Sequence, residues 1–356
     1  MEKDIRVVKN VLLFMAAVLG TYLLSILSSL LIPLALALFM AMLLQPAMAW
    51  MERKQVPSTI SLIVVNVGSL GILGLVGLLV YRTGKGLYEK KDMLLEQVSE
   101  KISSLLHWFN DLSGLEVTSS DIIDQVEPLF SVDWLVDSYN SVIGAVGNFT
   151  GLAFMTILYF VILLGGMLRY EQYLHYLEAG TGNNKILDSF EKVKQSVVTY
   201  TKVKFLISLA TGIGYWLICW SFGIQFSLFW GFLAFILNFI PTFGSIIATI
   251  PPLLLGLVLV DISSLGLMAA LLFVVQTIMG NIVEPRLMGD RLSLNTITVL
   301  LGLVFWGYVW GITGMILSVP LLVLVKVTLA QIPDAELIVR LMGAPPKKNE
   351  ERASQG

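Results

Sequence analysis

The sequence predicts an all-α polytopic membrane protein with about eight transmembrane elements, two of them broken helical hairpins. Three observations carry that prediction. Only 13% of the 356 residues are charged and 56% are hydrophobic, against about 25% and about 45–50% in an average soluble domain. Apolar runs of roughly 20 residues, the length that crosses the hydrocarbon core, recur along the chain. Two further runs are too long for one span and carry proline or glycine in their middles. With a mean hydropathy of +0.82, the composition excludes an ordinary soluble enzyme, a disordered chain and a collagen-like fibre. It also disfavours an outer-membrane barrel, whose strands alternate apolar and polar residues.

The first apolar run extends from about Val11 to Ile32 and continues past Pro33 into a second, Leu34 to about Met51. It is too long for a cleaved signal peptide and reads as a retained span. A third runs from about Ile60 to Tyr81, a fourth from Val142 to Leu168, a fifth from Val203 to Phe222 and a seventh from Leu265 to Gly280. The sixth, Phe226–Val260, is about 35 residues long and is interrupted by Asn238-Phe239-Ile240-Pro241-Thr242-Phe243-Gly244. Proline removes a backbone donor and glycine relaxes the backbone, so the helix should break there. The last run, Ile297–Val325, carries Gly307, Gly311 and Gly314. Both long runs read as hairpins, and they resemble each other. Each has Phe-Trp-Gly in its first arm, at 229–231 and 305–307, and hydroxyl, β-branched residue, proline in its second, Thr249-Ile250-Pro251 and Ser318-Val319-Pro320. Paired broken segments are the best sequence pointer to a transporter's binding site.

These runs divide the chain into N-terminal transmembrane helices (1–82), an extramembrane amphipathic segment (83–140), a transmembrane helix (141–168), a cytoplasmic amphipathic segment (169–204), a transport core with both hairpins (205–332) and a cytoplasmic tail (333–356). Lys and Arg gather at the N-terminus, after the second run, in 169–204, at Arg286 and Arg291, and in the tail. The positive-inside rule then puts both termini in the cytoplasm of a multi-pass bacterial inner-membrane protein. The acidic segment 83–140 falls outside; its Leu94, Val98, Ile102, Leu105, Leu106 and Phe109 form one helical stripe. In 186–204, Ile186, Phe190, Val193, Val197, Val198 and Tyr200 form another, among lysines.

The chemistry expected of this chain is not enzymatic. No Walker A loop, HExxH, G-x-S-x-G or dinucleotide fingerprint is present, and the single cysteine, Cys219, lies in an apolar run. Two distant histidines, His107 and His175, make a metal centre an unsupported reading, and no cofactor is expected. A net charge of −2 offers no footprint for nucleic acid; the expected partners are a small-molecule substrate and the lipid bilayer. Between Phe205 and Val283 only Asp261 is charged, and between Leu292 and Val325 nothing is. The available groups are neutral: Asn238, Thr242, Ser245, Thr249, Gln276, Asn281, Asn295, Thr296 and Ser318. Such hydroxyls and amides suit a neutral polyhydroxylated solute, and they suit equally the capping of broken helices. Glu284, in the one dense cluster of charge in this half, is the carboxylate for ion or proton coupling, or else an ion-pair partner in a linker. Gly71, Gly74 and Gly77, and Gly307 with Gly311, form rows of small residues that serve packing within the chain, subunit association or a sliding surface; a homo-oligomer is expected.

The segments Leu237-Asn238-Phe239-Ile240-Pro241-Thr242-Phe243-Gly244-Ser245, Ile250-Pro251-Pro252, Gly280-Asn281-Ile282-Val283-Glu284-Pro285-Arg286-Leu287-Met288-Gly289, Leu303-Val304-Phe305-Trp306-Gly307 and Ser318-Val319-Pro320-Leu321 resemble the autoinducer-2 exporter family of permease-like bacterial inner-membrane transporters. The resemblance runs over nearly the whole chain; many relatives carry a proline near Asn295, which this chain lacks. It implies export of small signalling or organic molecules and, for some members, Na⁺(Li⁺)/H⁺ exchange. The expectation is therefore a secondary transporter exporting a small polar solute, with the autoinducer-2 quorum-sensing signal as a candidate and a Na⁺(Li⁺)/H⁺ antiporter as the alternative. Asn238, Thr242, Ser245 and Asn281 would bind substrate, Glu284 would couple the ion or proton, and Pro241, Gly244, Pro251, Gly311, Gly314 and Pro320 would act as hinges.

Overall fold

A computed structural model describes residues 2–90, scattered positions between 93 and 104, and residues 151–163, 166, 184–288, 294–330, 332 and 335–343. The expected amphipathic stripe at 94–109 and most of segment 83–140 lie outside the described residues. All the elements named here are helices: α1 (Glu2–Ile26), α2 (Ser28–Arg53), α3 (Ser58–Glu89), α4 (Gly151–Leu163), α5 (Asn184–Ser221), α6 (Ser227–Leu237), α7 (Phe243–Leu259), α8 (Ile262–Met288), α9 (Thr296–Leu329) and α10 (Glu336–Met342). Among the described residues, five helices are long and apolar enough to cross a membrane, and α2, α4, α6 and α7 contribute shorter apolar stretches. This is the all-α polytopic membrane architecture that the composition implies.

Three element boundaries differ from what the sequence predicts. The first long run is interrupted at Leu27, not at Pro33, which is buried inside α2. A proline removes one helical donor, and membrane helices tolerate this where neighbours serve the freed carbonyl. Likewise α8 does not end near Gly280. It runs on to Met288, through a π-helical segment Thr277–Val283 and a short α-helical turn Glu284–Met288. The Glu284–Arg286 stretch is thus the end of a span and not a linker. Helix α3 continues past Tyr81 to Glu89.

The chain divides into two compact units. The first comprises residues 1–66, 154–205 and 285–356. Within it, Ala37, Ala41, Met48, Val65 and Phe160 form a buried cluster. Ala37 and Ala41 lie one helical turn apart with no exposed surface, and such small side chains let helix backbones approach closely. A second cluster packs Trp306, Val309 and Trp310 of α9 against Leu24, Leu31, Ile32 and Ala35. The Trp310 indole N–H donates to the Leu24 carbonyl at 3.0 Å. That carbonyl lies in the last turn of α1, where helical partners run out.

Helix α9 is itself a hairpin. Gly311 has φ 62° and ψ −145°, outside any helical conformation. A Cβ on Gly302 would lie 2.3 Å from the Leu322 side chain, although a separation of 20 positions would span about 30 Å in a straight helix. The arms 296–310 and 312–329 are therefore folded together about Gly311.

The second unit comprises residues 67–153 and 206–284. Its core gathers Tyr215, Cys219, Ile224, Trp230, Ala234, Ala248, Met268 and Leu272. Helices α6 and α7 form the other hairpin, reversing through Asn238–Thr242. Asp261 ends that hairpin and caps α8. It accepts from the Ser264 backbone N–H at 3.0 Å and from the Ser263 hydroxyl, and these two donors, the hydroxyl first, hold its carboxyl well below the usual carboxylate range. A Cβ on Gly71, Gly74 or Gly77 would meet nothing within 4 Å, so that row does not pack within the described chain. Large apolar side chains such as Phe14, Leu75, Phe273 and Tyr308 stand exposed, as a surface bathed by lipid requires.

Candidate functional site

The reversal between α6 and α7 and the first turn of α7 carry three of the expected site residues. Asn238 caps α6 and is almost fully buried, 4% exposed. Its side-chain amide donates to the Ser208 hydroxyl on α5 at 3.0 Å. Four residues on, Thr242 is exposed and holds φ 64°, ψ −55°. A β-branched residue at positive φ is a true outlier, costing about 1–3 kcal/mol, and such strain gathers at ligand sites and switches. The Ser245 hydroxyl donates back to the Thr242 carbonyl at 3.2 Å.

One turn further along α7, the Thr249 hydroxyl donates to the Ser245 carbonyl at 2.7 Å. Its single proton is thereby used, so in the 2.6 Å contact with Tyr215 the tyrosine hydroxyl is the donor. Tyr215 is fully buried on α5. Ser208, Gly212, Tyr215 and Cys219, spaced four, three and four apart, form one buried face of α5. At its centre Gly212 and Gly231 meet so closely that a Cβ on Gly231 would lie 2.6 Å from the Gly212 carbonyl oxygen. The hairpin is thus fastened to α5 by two polar links and one glycine crossing. Ser208 and Tyr215 escaped the sequence reading because both lie in an ordinary apolar span; the four-three-four spacing was the available signal.

The expected hinge residues take distinct places. Pro241 lies in the reversal itself. Gly244 is the second residue of α7, and a Cβ there would stand 1.7 Å from the Leu237 carbonyl oxygen. Pro251 lies inside α7, followed by Pro252, and the helix runs through both. In α9, Gly311 makes the reversal, and a Cβ on Gly314 would stand 2.0 Å from the Trp306 carbonyl oxygen. Pro320 is buried inside the second arm. Nearby Ser318 is fully buried, its hydroxyl donating to the Met315 carbonyl at 2.8 Å.

Asn281 and Glu284 stand on a different element, α8. Asn281 is exposed within the π-helical segment, and Glu284 is partly buried at its end. The π register has a local cause. The Glu284 N–H bonds to the Met279 carbonyl, five residues back, and Pro285 follows with no N–H to continue either pattern. π segments are rare and concentrate at functional positions. Asn295 caps the start of α9, its side-chain oxygen accepting from the Thr298 N–H at 2.6 Å. Among the described residues no group of three or more His, Cys, Asp and Glu could hold a metal ion.

Chemically, then, the site offers neutral donors and acceptors set at helix breaks within apolar surroundings, with one carboxylate at the end of α8. The family described as AI-2E family transporter matches residues 11–334. The AI-2 transport protein TqsA of Escherichia coli (strain K12) is 30% identical over 319 residues, covering 88% of this chain and 90% of that protein. A second protein of the same strain, named "Putative transport protein YhhT", is 30% identical over 323 residues, covering 89% and 88%. A Haemophilus influenzae protein named "Putative transport protein" is 28% identical over 319 residues, covering 88% and 89%. With the match running from the first span through the second hairpin, the chain belongs to the AI-2E family of transporters.

Proposed function

We propose that the protein is a secondary transporter that exports a small, neutral, hydroxyl-bearing solute across the bacterial inner membrane, with both termini in the cytoplasm and the autoinducer-2 signal as the first solute to test. The observation that carries the reading is the tip of the α6–α7 hairpin. There Asn238, Thr242 and Ser245 bring amide and hydroxyl groups to a strained break in a region that is otherwise apolar and almost free of charge. Substrate sites of transporters lie at such discontinuous helices. The similarity to TqsA, named an AI-2 transport protein, supports the choice of solute. Asn281 completes the hydrogen-bonding set from α8. Glu284 couples transport to an ion or proton gradient, the role an intramembrane carboxylate takes by default.

Purified protein in proteoliposomes loaded with the autoinducer-2 signal tests this directly. The wild type should release solute faster than empty liposomes, and faster still under an imposed ion gradient. Asn238→Ala combined with Glu284→Gln should slow release by about tenfold or more, the loss of roughly one charge-assisted and one neutral hydrogen bond. Unchanged efflux in the double variant overturns the site.

A further inference from the structure

We propose that Gln276 is a further substrate-contacting residue, accepting a hydrogen bond from a solute hydroxyl at the π-helical break of α8. The inference rests on the transporter reading and adds to it a position outside the hairpin tip.

Four observations meet at this residue. Gln276 stands at the middle of the 27-residue span Ile262–Met288, the depth at which transporters place their substrate sites. Its side-chain oxygen is buried and has no hydrogen-bond partner. Buried acceptors are nearly always paired, and an exception calls for a reason. At the bilayer midplane no bulk water is at hand to serve it.

The third observation is the register change that begins at the next residue. Thr277–Val283 is π-helical, and the last bond of that pattern runs from the Glu284 N–H to the Met279 carbonyl. The bond that would follow belongs to Pro285, which has no N–H. The Gly280 carbonyl therefore lacks the donor that the π pattern would have supplied.

Fourth, the Gln276 side-chain amide lies beside Gly280. A Cβ on Gly280 would lie 3.2 Å from the Gln276 side-chain nitrogen, with no other group within 4 Å beyond its chain neighbours and the helix's own nearby backbone. The amide thus lies over the bare backbone of Gly280, which is itself partly exposed and adjoins the exposed Asn281. A buried side-chain acceptor wanting a donor, on the same helix as a carbonyl that Pro285 cannot serve and beside a glycine that adjoins the exposed amide of Asn281, makes a site for a group that donates. A hydroxyl of a neutral solute fits; an aliphatic solute does not.

The test is the concentration dependence of efflux from proteoliposomes, with the autoinducer-2 signal and, as further probes, ribose and xylitol, together with thermal unfolding in detergent. If the wild type carries none of these solutes, the transporter reading for hydroxyl-bearing solutes falls, and this inference falls with it. If the wild type carries one, Gln276→Met decides the inference alone. The expected result is a KM raised about 3–10-fold, the worth of one hydrogen bond, with an unchanged or higher Tm, because methionine removes a buried acceptor that has no partner. A glutamine that only packs would change Tm and leave KM alone, and an unchanged KM overturns the proposal. Gly280→Ala gives a second readout should Gln276→Met fail to fold. The added methyl displaces the amide, and KM should rise by about 2–5-fold; an unchanged KM there overturns the proposal equally.

Discussion

The two hairpins share a sequence plan and solve the same problem by different means. Each must reverse an apolar helix and leave no buried backbone group unserved. The α6–α7 hairpin spreads the reversal over Asn238–Thr242 and places a threonine at positive φ. The α9 hairpin reverses at a single residue, Gly311, whose φ of 62° and ψ of −145° suit glycine alone. What they hold in common is a glycine at the root of the second arm. Gly244 and Gly314 each put their missing side chain against a carbonyl of the first arm. Their anchoring also differs. The first hairpin is held by hydroxyl and amide links to α5, the second by tryptophans seated on α1 and α2. Close approach of the arms is thus the shared requirement, and the shape of the turn is free to vary.

Substitution of the shared glycines should produce the largest effects. Gly244→Ala and Gly314→Ala each drive a methyl into a backbone carbonyl, which cannot move aside as a side chain would. Each should cost about 3 kcal/mol or more, read as a large fall in Tm in detergent. Gly244→Ala should be the worse, its contact being 1.7 Å against 2.0 Å. If both are tolerated, close approach is not what the hairpins share.

The turns themselves should respond with opposite signs. Gly311→Ala places a side chain in a conformation reserved for glycine and should lower stability by about 1–3 kcal/mol. Thr242→Gly relieves the same kind of strain and should raise stability, by up to about 1 kcal/mol after the entropy cost of glycine. A transport assay on Thr242→Gly sharpens the point: a more stable protein with slower efflux would mark the strain as part of the mechanism.

The anchors come next. Trp310→Phe leaves the Leu24 carbonyl without its donor and should cost about 1–3 kcal/mol. Tyr215→Phe should cost less, about 0.6 kcal/mol, the usual worth of a hydrogen bond between membrane helices. Thr249 keeps its own bond to Ser245 in that variant.

The smallest effect belongs to the helix caps beside the hairpins. Asp261, following the first, has its carboxyl held well below the usual range by Ser263 and Ser264. A depressed folded-state pKa gives stability that is present above the unfolded value and lost as pH falls through the folded one. Asp261→Ala should therefore lower Tm slightly at neutral pH, and the gap should close only in strong acid. Asn295, the cap before the second hairpin, carries no charge, so the loss in Asn295→Ala should not vary with pH.

Much of this was legible in the amino-acid sequence, and the limits have physical causes. Asn238 to Gly244 and Gly307 to Gly314 announce their breaks because proline and glycine act locally. Pro33 and Pro251 announce breaks that do not occur, since a membrane helix carries a proline through when neighbours serve the freed carbonyl. The extension of α8 through Glu284 was hidden for a related reason: charge suggested a loop, whereas the chain remains helical by changing register before Pro285. Least legible were partnerships across distance. Nothing in a single sequence pairs Asn238 with Ser208, Thr249 with Tyr215, or Trp310 with the Leu24 carbonyl; they exist only once the helices have packed. Gln276 was visible as a polar residue in an apolar run, but its lack of a partner was not.

Asn295 has a consequence for how the chain is made. Its side-chain oxygen caps α9 through Thr298, a bond available as soon as a few more residues have emerged. Its side-chain amide and backbone N–H wait for the carbonyls of Leu341 and Met342, at 2.6 Å and 3.0 Å, the first of them 46 residues later. The bridge between Leu294 and Gly343 closes at the same moment. The whole second hairpin is a loop tied at its base by residues from beyond its far end. The tie can form only once α10 has been made, so a chain that stops short of Leu341 leaves the hairpin with an open base.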